Sequence, residues 1–275
     1  RYTEAGIDQV VLSRPPTMGA ADAEAVATSN DELLGVVEEY SDFYGLASVP
    51  TAAGGEAAAA ELERSLENGF HGGAVETMSD GIELVDPEVE PIFEVADEYG
   101  APLLVHPKIH NSLHEAVDVL SDEHKLNSIF GRETALAGSI SKLIHEGTFE
   151  KYPDLNLVFH HLGGNIATML GRIQDYLEAG RWPGQDGLKP YPEFKRILEE
   201  RVYVDTSGFA GHRPPLQVAC QEFPTSNVVF ATDSPFEPRS ADELRRYAEQ
   251  VATVAGQGKT GGILGENALS LLRNV

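Results

Sequence analysis

At 275 residues, 41% of them hydrophobic and 23% charged, the chain is long enough to bury the core of one barrel-sized domain. Its net charge of −24, from 44 acidic against 20 basic residues, excludes nucleic acid and anionic membranes as partners, because such a field repels phosphate. No apolar run nears the roughly 20 residues that span a bilayer, and nothing at the start reads as a signal peptide, so the cytoplasm is the default compartment.

The opening RYTEAG reads as the last turn of a helix ending at Gly6. Seven apolar or β-branched runs follow, each a strand candidate: DQVVLS (8–13), FYGLASV (43–49), GGAVETM (72–78), PLLVH (102–106), LNLVFHH (155–161), RVYVDTS (201–207) and NVVFATD (227–233). Amphipathic stretches lie between them. One is predicted to start at Asp86 as N-cap, with Pro87 at the first helical position, and to end at Gly100, with Val89, Ile92, Phe93 and Ala96 on one face. Another repeats Ile166, Met169, Leu170, Ile173 and Leu177 at helical spacing. The single cysteine, Cys220, sits in the apolar helical stretch LQVACQEF, a packing context, and excludes an internal disulfide or a cysteine-rich zinc site. A last helix spans roughly 266–273.

With no linker, tandem repeat or shift in composition, residues 1–275 read as a single domain. Strand and helix alternating at this pitch mean βα units and a parallel sheet. A doubly wound sheet usually announces a Gly-rich phosphate loop after its first strand, and neither GxGxxG nor GxxxxGK[ST] occurs. The expected fold is therefore a (β/α)8 barrel. Seven strands are one short, and an open barrel exposes two sheet edges; the expectation is a first strand upstream of Arg1.

Polar residues gather at the C-terminal ends of the runs: Glu76, His106, His161, Asp205 and Asp233. On a barrel those ends form the active face. Imidazoles with a carboxylate there suit a divalent metal of the zinc, manganese or iron type. Each signal alone has an ordinary reading, a hydrogen-bonded strand-end histidine or an N-capping aspartate; their matching depths on successive strands favour chemistry. In VFHHLGGN, strand alternation lets one of His160 and His161 face the site without saying which.

Nearly the whole chain, from AGIDQVVLS to ILGENALSLL, resembles the branch of the amidohydrolase superfamily that contains aminocarboxymuconate-semialdehyde decarboxylase and the resorcylate-type decarboxylases. The specific parts are VHP, the block ETALAGSISKLIHEGTFEKYPDLNLVFHHLGGN, DTSG and TDSPFEP. The resemblance implies a barrel holding one divalent metal, zinc first and manganese second, with His106 and Asp233 as ligands. It makes His161 the catalytic acid/base and leaves His160 in support. Beside the resemblance, Asp233 is a candidate proton carrier, and Asp205 is a candidate to orient a ligand or bond backbone. One departure stands out: the family's H-x-H or E-x-H motif on strand one is missing, and two protein ligands fall short of the three or more that a catalytic site normally has. Either the upstream strand carries the rest, or these residues alone do not hold the metal.

Arg132 and Arg239 near the mouth are candidates to clamp a substrate carboxylate, and His110 and His212 are candidate substrate contacts. The leading expectation is a metal-dependent nonoxidative decarboxylase of a small aromatic or enoic carboxylic acid. One alternative is a metal-dependent hydrolase of an ester, lactone or amide, and another is a degenerate barrel that binds ligand without turnover. The expected partners are a small carboxylate or acyl substrate and, as the default among oligomers, a second copy in a homodimer. The acids are spread over helical segments such as ELERSLENG, and lysine (7) is scarcer than arginine (13), which reads as the solvated surface of a halophilic protein.

Overall fold

The computed structural model describes residues 2–108, 123–178, 187–209, 212–237, 239–256 and 258–272. All seven runs form parallel strands. They are β1 (Val10–Leu12), β2 (Phe43–Gly45) continuing into β3 (Ala47–Ser48), β4 (Gly73–Glu76), β7 (Pro102–His106), β8 (Asn156–Phe159), β9 (Val202–Asp205) and β10 (Val228–Val229). A six-stranded sheet runs in the order β10-β9-β8-β7-β4-β3, and β1 pairs with β2. Leu46 N donates to Leu12 O at 2.8 Å, so the β1–β2 ladder carries on towards β3. A two-residue hairpin, β5 (Met78–Ser79) with β6 (Ile82–Glu83), lies outside this sheet.

Alternation along the strands sorts the core into two faces. Val75, Leu103, Val105, Leu157, Phe159 and Val204 point outward and pack with Leu62 of α3 (Gly55–Glu67), Ile92 of α4 (Glu90–Tyr99), Ile140 of α5 (Arg132–His145) and Ile166 of α7 (Ile166–Glu178). Ala74 and Leu46 point inward against Leu272, and Val158 and Val229 against Leu271, so α11 (Asn267–Leu272) covers the inner face. The fold is of the (β/α)8-barrel type with seven strands among the described residues. There β1 and β10 do not pair. A cleft of about 550 Å³ runs between Val10–Ser13 on one side and Val229–Asp233 on the other.

The helix expected from Asp86 forms in two parts, a tight turn over Pro87–Val89 and then α4, ending at Gly100 in the left-handed conformation (φ 61°). Asp86 does not cap it. Its carboxylate accepts from Glu83 N at 2.8 Å and closes the preceding turn instead. No helix among the described residues is long and apolar enough to cross a membrane.

Candidate active site

Register sets the floor of the site. Glu76 pairs with His106 across β4 and β7. The β7–β8 ladder ends at Val105 with Phe159, and the β8–β9 ladder at Phe159 with Val204. One step further brings Glu76, His106, His160 and Asp205 into a single inward row at the C-terminal ends of four neighbouring strands. The rings of His106 and His160 meet edge to face, 5.5 Å between centroids.

His161 reaches the same place by another route. β8 ends at Phe159, and His161 and Leu162 turn sharply with φ of 55° and 56°. That turn swings the second imidazole back towards the mouth, so alternation does not separate the two histidines. His161 Nδ1 lies 2.8 Å from Glu133 Oε1, and Nε2 lies 3.9 Å from Asp233 Oδ2. Burial alone would push this imidazole down, but the carboxylates of Asp233 and Glu133 outweigh it and raise its pKa to about 10.

The DTSG segment holds both rings. Asp205, buried, takes His160 Nδ1 at 2.8 Å on Oδ2, and His161 N at 3.1 Å, Ser207 N at 3.0 Å and Ser207 Oγ at 2.5 Å on Oδ1. Burial opposes its ionisation, yet the charge and hydrogen bond of His160 and the bond from Ser207 hold its pKa down to about 2. Thr206 Oγ1 accepts from Ala231 N at 3.1 Å and so ties β9 to the chain leaving β10. Gly208 (φ +83°) lies flat on the His161 ring; a Cβ there would come within 2.4 Å of it.

His106 is half-buried, and its Nδ1, which is buried, has no hydrogen-bond partner. Burial first, then the neighbouring His160 ring and Arg132, pull its pKa to about 3, so it is a neutral imidazole, the form that ligates a metal. Asp233 holds a strained φ of 48° at the cleft wall. These two residues suit metal donation. Among the described residues, however, no group of three or more His, Cys, Asp or Glu side chains is arranged to hold an ion. The described residues do not by themselves complete a metal shell.

The other sequence candidates separate. Arg132 is exposed at the head of α5, near enough to depress His106. Arg239 is mostly buried, paired with Glu237 and stacked 4.9 Å over the Tyr247 ring. His212 is exposed just before α9 (Arg213–Glu222). His110 lies outside the described residues. Glu76 is buried beneath Lys108, which it binds at 3.0 Å, and against Gly19. Sequence reasoning missed Glu133 as a site residue: its place at the start of α5 reads as a helix-dipole carboxylate, while its side chain spans 28 residues to His161 and keeps a second buried oxygen, Oε2, without a partner.

Imidazoles and carboxylates converging at the C-terminal ends of parallel barrel strands are the layout of a (β/α)8-barrel enzyme. A family model described as amidohydrolase matches residues 10–273. The chain belongs to this amidohydrolase family. Decarboxylase orsB of Emericella nidulans is 27% identical over 236 residues, covering 82% of this chain and 70% of its own. The gamma-resorcylate decarboxylase of Polaromonas sp. is 29% identical over 254 residues, covering 85% and 74%. The crystal structure of 5-carboxyvanillate decarboxylase from Novosphingobium aromaticivorans, complexed with manganese and 4-hydroxy-3-methoxy-5-nitrobenzoic acid, aligns with a TM-score of 0.84 at 24% identity, over 98% of this chain and 77% of that one.

Proposed function

We propose that this protein is a metal-dependent nonoxidative decarboxylase of a small aromatic carboxylic acid. The observation that carries the reading is the His161–Asp233 pair, which stands at the mouth beside the unpartnered nitrogen of His106. The relatives named as decarboxylases support the reaction class. The manganese in a structural neighbour supports a divalent ion, and manganese is consistent with it.

His106 and Asp233 are the two described residues that would hold the ion. When bound, a divalent cation supplies Lewis-acid polarisation of substrate oxygens. The proton chemistry belongs to the chain. His161, gripped by Glu133 on Nδ1, presents Nε2 to Asp233, and this pair delivers a proton to the ring carbon that bears the carboxylate. The bond from that carbon to the carboxylate then breaks, its electron pair returns to the ring, and carbon dioxide leaves. The apolar cleft wall, with Leu104 and Val158, keeps water from the protonated ring. A cytoplasmic setting belongs to the same reading, supported by the single cysteine.

The test is carbon dioxide release from a panel of hydroxybenzoates by metal-loaded protein, with metal content measured in parallel. His106→Ala and Asp233→Ala are expected to lose both metal and turnover. Full metal content in both variants would remove them from the metal shell.

A further inference from the structure

Arg239 belongs to a closed circuit of contacts that passes through Asp233. Residues 233–237 make one turn, closed by Glu237 N donating to Asp233 O at 2.8 Å. Ahead of that turn, Thr206 holds the chain. Its Oγ1 accepts from Ala231 N at 3.1 Å and donates to Ala231 O at 3.3 Å, and its N donates to Val229 O at 3.0 Å. Where the turn ends, the Glu237 carboxylate pairs with Arg239. The Arg239 guanidinium lies 4.9 Å over the Tyr247 ring, and the Tyr247 hydroxyl donates to Thr206 O. The circuit thus returns to the residue from which it started.

Thr206 follows Asp205, whose carboxylate holds the His160 ring and the backbone of His161. Both members of the His161–Asp233 pair, 3.9 Å apart, are therefore fastened to consecutive residues at the tip of β9. Tyr247 is the part of the circuit that comes from another element. It is 4% exposed, packs against the Phe230 ring at 5.2 Å and is rooted in α10 (Ala241–Ala255). A mostly buried guanidinium needs a partner charge, and Glu237 supplies it. Asp233 to Phe236 line the cleft, whereas Glu237, Arg239 and Tyr247 stand behind it. Arg239 is thus placed to act on the Asp233 turn and not on a bound acid.

We propose that Tyr247 and Arg239 are positioning residues that hold the Asp233 turn at its distance from His161, and that Arg239 does not clamp the substrate carboxylate. The proposal rests on the role given to Asp233 in the decarboxylase reading above.

In a closed circuit, opening one joint releases the whole constraint, so opening a second adds nothing; independent contacts would add. Tyr247→Phe removes only the hydroxyl and keeps the ring under Arg239, while Arg239→Met frees Glu237. Both are measured with the hydroxybenzoate that metal-loaded protein turns over fastest. Each is expected to lower kcat by about 10- to 100-fold, the scale of a small misplacement of a reacting group, with KM held within about twofold. The double variant should fall no further than the more damaged single one. Glu237→Gln opens the same joint should Arg239→Met fail to fold. Amide hydrogen exchange by NMR gives a readout without substrate. In Tyr247→Phe, Ala231 and Glu237 are expected to exchange about tenfold faster, while Leu103 in β7 keeps its rate.

Losses that multiply in the double variant overturn the proposal, as does a lower melting temperature with kcat unchanged. A raised KM in Arg239→Met at constant kcat overturns it too and makes Arg239 the substrate clamp. Failure of the unaltered protein to release carbon dioxide from any of the acids sinks the decarboxylase reading alone. Exchange then decides the circuit: faster rates at Ala231 and Glu237 sustain it, and unchanged rates overturn it.

Discussion

Gly208 meets the His161 ring so closely that any side chain there must displace the imidazole, and its φ of +83° penalises non-glycine residues as well. Gly208→Ala is therefore expected to lower both activity and the melting temperature, by about 1–3 kcal/mol in stability. His161→Asn should leave metal content and fold in place and cut turnover by roughly 10²- to 10⁴-fold, the usual worth of a positioned acid/base. The same imidazole sets a pH dependence in metal-free protein. Its pKa is raised from 6.5 to about 10, so the stability it contributes is full below 6.5 and is lost as pH rises towards 10. Melting temperatures across that window should fall more steeply for the unaltered protein than for His161→Asn; parallel profiles would contradict the Glu133–His161–Asp233 arrangement. At this scale the sequence was legible in part. His106, Asp205 and Asp233 could be picked out because strand ends carry chemistry on a barrel. The geometry of the two histidines could not, because it depends on a left-handed turn that begins one residue after the strand stops. Glu133 was hidden by distance along the chain.

The secondary-structure elements were the more readable level. Runs of apolar and β-branched residues gave all seven barrel strands, and only their ends moved, by at most four residues, the run 102–106 not at all. The β5–β6 hairpin was overlooked although its turn, Asp80–Gly81 with φ of 50° and 90°, is the Asp-Gly signal of a tight hairpin. Two-residue strands are too short to show a period. Among the helices, α10 (Ala241–Ala255) has the most explicit start. Ser240 Oγ accepts from Glu243 N at 3.3 Å while Glu243 Oε2 accepts from Ser240 N at 2.7 Å, a reciprocal capping box. α10 also carries Tyr247, whose hydroxyl donates to Thr206 O beside the site. Ser240→Ala is expected to cost about 1 kcal/mol, read as a lower melting temperature. No change would mean that packing of Leu244, Tyr247 and Val251 alone sets the helix.

For the molecule as a whole, charge decides the solution behaviour. With 44 acidic residues against 20 basic ones, most surface carboxylates have no cation to pair with, and their mutual repulsion opposes the compact state. Added salt screens that repulsion, the Debye length shrinking from about 10 Å at 0.1 M to about 3 Å at 1 M. Melting temperature and activity are expected to rise into molar KCl; an optimum in low salt with decline above it would contradict the reading of a halophilic surface. None of this bears on which bond is broken. That question falls to carbon dioxide release from hydroxybenzoates by metal-loaded protein, the unaltered chain compared with Asp233→Ala. The account predicts metal-dependent release that the substitution abolishes. No release from any aromatic acid, with esters or lactones hydrolysed by the same protein, would contradict it.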